Sequence, residues 1–99
     1  MAEILVTTSE LRSKAEELRG INGQFKNSVS SLESTEGSLN GMWVGEAHDT
    51  FHKAFMEDKG QMTAFATLID EYCATLEKIA REYEEKERMN TEIARNRTR

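Results

Sequence analysis

Two histidines in the middle of the chain have a spacing that suits metal chemistry. The stretch His48-Asp49-Thr50-Phe51-His52 would place both imidazoles on one face of a helix, as two zinc ligands are placed in helical metalloprotease motifs. In those motifs a glutamate that acts as the base follows the first histidine, whereas Asp49 has a shorter side chain. Glu46 is nearby, but no third ligand is evident. We favour the alternative, in which both histidines are ordinary polar residues in the first turns of a helix, and predict no metal site.

No other residues in the sequence suggest catalysis. Gly20 and Gly23 lack the strand and the lysine of a phosphate-binding loop. The single cysteine, Cys73, cannot form a disulfide within the chain, and its apolar neighbours predict an inert buried thiol. We therefore predict a protein that is not an enzyme, needs no cofactor and acts by binding partners.

Composition and charge narrow the kinds of partner. One domain is expected over residues 1–99, with no proline, 37% hydrophobic and 31% charged residues, which suits long helices with solvated outer faces. The net charge is −5, and only the last stretch is basic on balance, with arginines at positions 95, 97 and 99. This acidic body argues against nucleic acid as the principal ligand.

The distribution of apolar residues argues against a membrane segment. No stretch approaches the roughly 20 apolar residues that a helical span needs. The N-terminal stretch is acidic, and its longest apolar run, Ile4-Leu5-Val6, is too short for a cleavable signal peptide. If the protein leaves the cell, we expect it to use a route that needs no such peptide.

The first segment of the chain has apolar residues at a strict spacing of seven. They are Ile4, Leu11, Leu18, Phe25, Leu32 and Leu39. Four residues after each of Leu11, Leu18, Phe25 and Leu32, the chain has Ala15, Asn22, Val29 and Glu36, and two of these four residues are apolar. This pattern predicts a helix with a narrow packing seam, from about residue 8 to about residue 40. Thr7 and Glu10 have the spacing of a capping box, which predicts the start near Thr8.

The second segment alternates apolar spacings of three and four. Its series comprises Phe55, Met62, Phe65, Ile69, Tyr72, Leu76, Ile79 and Tyr83, and Phe51 leads into it. Small residues widen one flank, at Ala66, Cys73 and Ala80, and would let another helix approach closely. We predict a helix from about residue 46 to about residue 87, followed by a flexible charged tail over about residues 88–99.

A short stretch with two glycines joins the segments. Gly41 and Gly45 supply backbone freedom for a tight reversal over about residues 40–45. So short a connection makes the two long helices antiparallel neighbours. The predicted fold is therefore an all-α, antiparallel two-helix hairpin.

A two-helix hairpin buries one seam and leaves another apolar flank in water. We expect this exposed patch to include Ile21, Ala66, Leu68 and Cys73. Pairing of two hairpins into a four-helix bundle would cover it, so we predict a dimer with itself or with a similar small helical protein. We favour the homodimer because both helices carry continuous apolar series. The residues predicted for the core or dimer seam are Leu11, Leu18, Phe25, Leu32, Phe55, Met62, Phe65, Ile69 and Leu76.

The hinge carries the motif of a known family. Trp43-Val44-Gly45 lies mid-chain between two proline-free helices, in a chain of nearly one hundred residues. Over its whole length the sequence resembles the WXG family, the small substrates of type VII secretion in Gram-positive bacteria and mycobacteria. A second motif agrees, because Tyr83 followed by Glu87 has the spacing of the Tyr-x-x-x-Asp/Glu export signal that family members or their partners carry.

The resemblance implies a function in protein export. It implies secretion from a cytoplasmic pool through the type VII secretion ATPase. It also implies that Trp43 and Gly45 combine with Tyr83 and Glu87 of a second chain in one recognition surface. From the residues alone, Trp43 plugs the hairpin at the hinge, where the two helices diverge, Tyr83 is a core position and Glu87 is a solvated charge. The alternatives are an intracellular adaptor of the same fold that escorts a larger toxin, and an unrelated coiled-coil protein.

Overall fold

The structure, a computed structural model, describes residues 7–97, which form two helices in an antiparallel hairpin. Helix α1 spans Thr8–Asn40 and helix α2 spans Glu46–Arg97. The molecule is elongated, 82 × 21 × 20 Å, and the predicted all-α hairpin is confirmed. Ile4 of the first apolar series and Arg99 of the predicted tail lie outside the described residues. Within residues 7–97, neither helix contains a segment long and apolar enough to cross a membrane.

Helix α1 begins without the side-chain cap that the sequence suggested. Thr7 has an extended backbone, with φ −94° and ψ 129°, and its carbonyl accepts a hydrogen bond from the Leu11 amide at 3.1 Å. The Thr7 side chain makes no capping hydrogen bond. The guanidinium of Arg12, in the same region, instead pairs with Glu84 of α2. The start of α1 is therefore held by tertiary contacts rather than by a capping box.

Helix α2 extends past the predicted end near Glu87 and continues to Arg97, so the predicted flexible tail is instead helical over residues 88–97. The extension contains no glycine or proline, and good helix formers prevail in it. Arg88 also bridges two carboxylates of its own helix, with Glu85 at 2.5 Å and Glu92 at 2.8 Å. Such pairs three and four residues apart stabilise an exposed helix. The last turns of α2 extend beyond the start of α1, and their side chains are exposed.

The most deeply buried positions of the seam between the helices carry small or polar residues. In α1 they are Ala15, Asn22, Val29 and Glu36, and in α2 they are His48, Ala66, Cys73 and Ala80. The prediction that Ala66 and Cys73 join an exposed patch is therefore wrong, whereas Ile21 and Leu68 of that patch are exposed. Small side chains fit between two closely packed backbones, and the larger ones are displaced to the sides of the seam. The predicted buried thiol of Cys73 is confirmed.

Asn22 is a buried amide with both of its donors directed across the seam. Its Nδ2 donates to the Ala66 carbonyl oxygen and to Asp70 Oδ1, each at 2.9 Å. Sliding one helix along the other would leave this amide buried without partners, which costs more than a hydrogen bond contributes. Asn22 therefore favours a single register of the hairpin.

Ion pairs between the helices follow one side of the seam. They join Arg12 to Glu84 at 2.7 Å, Arg19 to Glu77 at 2.5 Å, Lys26 to Asp70 at 2.7 Å, and Glu33 to Lys59. The hydrogen bond from Lys26, and then the one from Asn22, lower the pKa of the Asp70 carboxyl. Hydrogen bonds from Arg19 and Arg12 lower the pKa of Glu77 and the pKa of Glu84 in the same way. The ionised forms are thus favoured in the folded hairpin.

Acid is expected to weaken the hairpin through these carboxyls. Because the folded-state pKa values of Asp70, Glu77 and Glu84 lie below their ordinary values of 3.8 and 4.5, the three groups contribute stability above those values. The contribution is lost as the pH falls through the lower, folded-state values. Thermal unfolding followed by circular dichroism should give a lower Tm at pH ~3 than at pH ~6. In Glu77→Gln the difference should shrink, and an unchanged difference would contradict the role of the pair.

Candidate functional site

The hinge over residues 41–45 requires glycine at only one of its two glycine positions. Gly45 has φ +134°, a conformation that side chains disfavour, so the last residue of the tripeptide is set by the backbone. Gly41 has φ −81° and ψ −14°, an ordinary helical conformation, so the freedom predicted for it is not used. The amides of Met42 and Trp43 donate to the Leu39 carbonyl at 3.1 and 2.9 Å, which caps the last turn of α1. The backbone of Trp43 is thereby fixed to the end of α1.

The Trp43 side chain lies against the first turns of α2. Its ring centroid is 5.2 Å from that of His48, in an edge-to-face contact, and 5.6 Å from that of Phe51. Trp43 is 37% exposed, and its neighbours Met42 and Val44 are more exposed still, Val44 to 91%. We call Met42, Trp43 and Val44 the hinge surface, an apolar group at one end of the molecule.

The two histidines are not equivalent, and the prediction of two ordinary polar positions is wrong for His48. This residue is 8% exposed, and its ring stacks on that of His52 with centroids 6.1 Å apart. It is buried because the contacts of Trp43 and the last turns of α1 cover the first turns of α2. His48 Nε2 has no hydrogen-bond partner among the described residues.

His52 connects α2 to a buried carboxylate of α1. Its Nδ1 is in hydrogen-bond contact with Oε1 of Glu36, and Glu36 is 5% exposed. In the sequence Glu36 occupies a position equivalent to Ala15 and Val29, and the sequence alone predicts no partner for it. The signal was present, since a glutamate at a buried heptad position needs a partner across the seam. Within residues 7–97, no three His, Cys, Asp or Glu side chains come together in a way that could hold a metal ion.

A second candidate site is a row of large apolar side chains beside the seam. On α1 each large apolar residue lies four positions before a buried residue, as Leu11 does before Ala15. Each ion-paired residue lies three positions before a buried residue, as Arg12 does before Ala15. The apolar residues and the ion-paired residues therefore lie on opposite sides of the seam. Of the predicted seam residues, those that the structure half-buries are Leu11, Leu18, Phe25, Phe55, Met62, Ile69 and Leu76, and those that it leaves exposed are Leu32 and Phe65. We call these nine residues, together with Tyr72, the apolar face.

An aromatic contact bridges the two helices across the apolar face. The rings of Phe25 and Phe65 meet edge to face, with centroids 5.9 Å apart. Phe65 is nevertheless 53% exposed, and Leu32 and Tyr72 are exposed to a similar degree. The hairpin alone therefore leaves much of this large apolar surface in contact with water.

The residues of the predicted export signal lie far from the hinge. Tyr83 and Glu87 are exposed on α2. Glu84, which directly follows Tyr83, pairs with Arg12 in the first turns of α1, and this pair marks the open end of the hairpin. Trp43 and Gly45 lie at the other end. A single chain does not bring the two motifs together.

Together these features define a class of small all-α hairpin proteins with a Trp-X-Gly turn and an exposed apolar face beside the seam. The model of the WXG100 family, described as proteins of 100 residues with WXG, matches residues 3–88. This chain belongs to the WXG100 family, as the resemblance of its motifs indicated.

Similar proteins come from Gram-positive bacteria. An ESAT-6-like protein of Streptococcus agalactiae is 30% identical over 80 residues, which cover 81% of this chain and 83% of that protein. The crystal structure of the secreted protein EsxB of Bacillus anthracis has a TM-score of 0.77 and 26% identity, covering 88% of this chain and 99% of that one. EsxA of Geobacillus thermodenitrificans, at 22% identity, shares the fold, with a TM-score of 0.76 over 90% of this chain and 97% of its own.

Proposed function

We propose that this protein is a type VII secretion substrate that is exported as a dimer and acts by binding other proteins. The observation that carries the proposal is the exposed apolar face beside a seam that is already packed. Membership of the WXG100 family and the likeness to the secreted protein EsxB support the export route. Among residues 7–97 no third side chain joins His48 and His52 in a group that could hold a metal ion, and we propose no catalytic role for them.

The apolar face is the proposed dimer surface. Monomeric soluble proteins rarely leave contiguous apolar patches of this kind in water, and a second hairpin would bury them in a four-helix bundle. The half-exposed Leu32, Phe65 and Tyr72 would then become core residues. A homodimer is preferred because the face is continuous on both helices and therefore complementary to itself.

The recognition surface for the secretion ATPase is proposed to form between two chains. Trp43 and Gly45 lie at one end of the hairpin, and Tyr83 and Glu87 are near the other. In a dimer whose hairpins run in opposite directions, the hinge surface of one chain lies beside the Tyr83–Glu87 turn of its partner. Each chain carries both motifs at opposite ends, and the dimer would bring the hinge motif of one chain next to the Tyr83–Glu87 motif of the other.

The proposal is tested by following the protein in its own host. We expect it in the culture medium of the wild-type strain, uncleaved, and in the cells alone when the membrane-bound secretion ATPase is deleted. Complementation with the ATPase gene should restore the extracellular protein. Retention of the protein in wild-type cells, bound to a larger secreted partner, would instead identify it as an adaptor. Release that does not depend on the ATPase would rule out the proposed route.

A further inference from the structure

A line of contacts connects the buried part of α1 to the hinge tryptophan. Glu36 of α1 contacts His52 of α2, His52 stacks on His48, and His48 packs against Trp43. We propose that Glu36, His52 and His48 are positioning residues for Trp43, so that the hinge surface takes its shape only when the two helices are closed at this end. The importance of this arrangement for export rests on the proposed function, whereas its effect on Trp43 does not.

The first step is the contact between Glu36 and His52. A carboxylate that is 5% exposed needs a hydrogen-bond donor, and His52 Nδ1 is the donor in contact with it. The His52 side chain is itself 40% exposed, so burial alone does not confine its ring. The contact with Glu36 therefore selects the orientation in which His52 lies over His48.

The second step is the placement of His48. Its Nε2 has no partner among the described residues, and its Nδ1 is 3.6 Å from Asp49 Oδ1, which is too long for a hydrogen bond. Hydrogen bonds of the side chain do not orient the ring, so ring contacts must. These contacts are with the stacked His52 ring and with the edge-to-face Trp43 indole. A movement of His52 would therefore reach Trp43 through His48.

Other groups near this line do not replace its members. The next ion pair along the seam, Glu33 with Lys59, joins the same two helices and is separate from the contacts of Trp43 with His48 and of His48 with His52. Phe51 is the other ring against Trp43, and it contacts the indole directly. Glu33 therefore offers a matched control, since it is a glutamate of α1 that also pairs with α2.

Trp43 reports on its own surroundings because it is the only tryptophan of the chain. Full-length Glu36→Ala and His52→Ala should shift the fluorescence emission of Trp43 to longer wavelength. Trp43 is 37% exposed in the wild type, and in these variants its indole should lose the support of the His48 ring. The acrylamide quenching constant should therefore rise roughly twofold. Glu36→Gln keeps an acceptor oxygen at the same distance along the side chain. Its emission wavelength and quenching constant should therefore lie closer to the wild-type values than those of Glu36→Ala. Glu33→Ala should leave them unchanged.

The outcomes separate this proposal from general destabilisation and from the proposed function. Spectra are compared at a temperature at which far-UV circular dichroism shows every variant fully helical, and His52→Ala keeps the test valid if Glu36→Ala does not fold. Unchanged Trp43 signals in His52→Ala, or equal changes in Glu33→Ala, would overturn the positioning role. If the signals move and export declines with them, both proposals are supported. If the signals move and export is normal, the positioning role stands and the hinge half of the recognition surface is refuted.

Discussion

Alanine in place of Tyr83 or Glu87 is expected to abolish export while leaving the helical content of the protein unchanged. Both side chains are exposed near the open end of the hairpin, so their loss removes little packing. They lie one helical turn apart and together present a hydroxyl-bearing ring and a carboxylate to a partner. Extracellular and cellular amounts, measured by immunoblot, should show accumulation inside the cell for either variant.

The matched control for the carboxylate is Glu82→Ala. Glu82 is also exposed on α2, next to Tyr83, but it lies outside the four-residue spacing of the motif. We expect this variant to be exported normally. Normal export of Tyr83→Ala and Glu87→Ala would show that the motif is not the export signal of this chain. Equal loss of export in Glu82→Ala would show that the acidic character of this region, and not the motif, is recognised.

An acidic residue in the middle of the apolar face is expected to separate the dimer. In Phe65→Asp, a homodimer would bury two carboxylates, one from each chain, without a partner for either. A penalty of about 3 kcal/mol corresponds to a dissociation constant raised by about a hundredfold. Sedimentation at low micromolar concentration should show a dimer for the wild type and a monomer for the variant.

Thr67→Glu serves as the control for this experiment. Thr67 is exposed on the same helix, but it lies beside Lys26 and Lys59 on the side of the ion pairs. A charge there should leave the dimer intact. A wild-type protein that sediments as a monomer while remaining fully helical would refute the dimer, and dissociation of both variants would place the interface elsewhere. The Phe65→Asp variant also tests whether export requires the dimer.

The larger features of the fold were accessible from the sequence because they depend on local periodicity. The spacing of seven in residues 11–39 and the alternation in residues 55–83 are signals of two helices, and a five-residue connection leaves them few arrangements besides the antiparallel one. The end of α2 was less accessible. Arg88 and its two glutamate partners continue the helix through exposed pairs that carry no apolar signal.

The packing inside the seam was not accessible in the same way. Hydrophobic periodicity gives most weight to large residues such as Phe65, which the structure leaves half-exposed, and least to Ala66, which it buries. Which of two adjacent helix positions faces the other helix depends on how closely the backbones approach. That distance is a property of the pair of helices, and neither sequence segment contains it by itself.

The two histidines illustrate the same difference between what the sequence determines and what the tertiary structure decides. The sequence alone determined that His48 and His52 share a helix face, because that follows from a spacing of four residues. Only the tertiary structure decided that Glu36, from the other helix, contacts His52, and that Trp43 covers His48. Contacts within one helix follow from its pitch, whereas contacts between helices depend on a register that the buried Asn22, the ion pairs and the φ of Gly45 establish together.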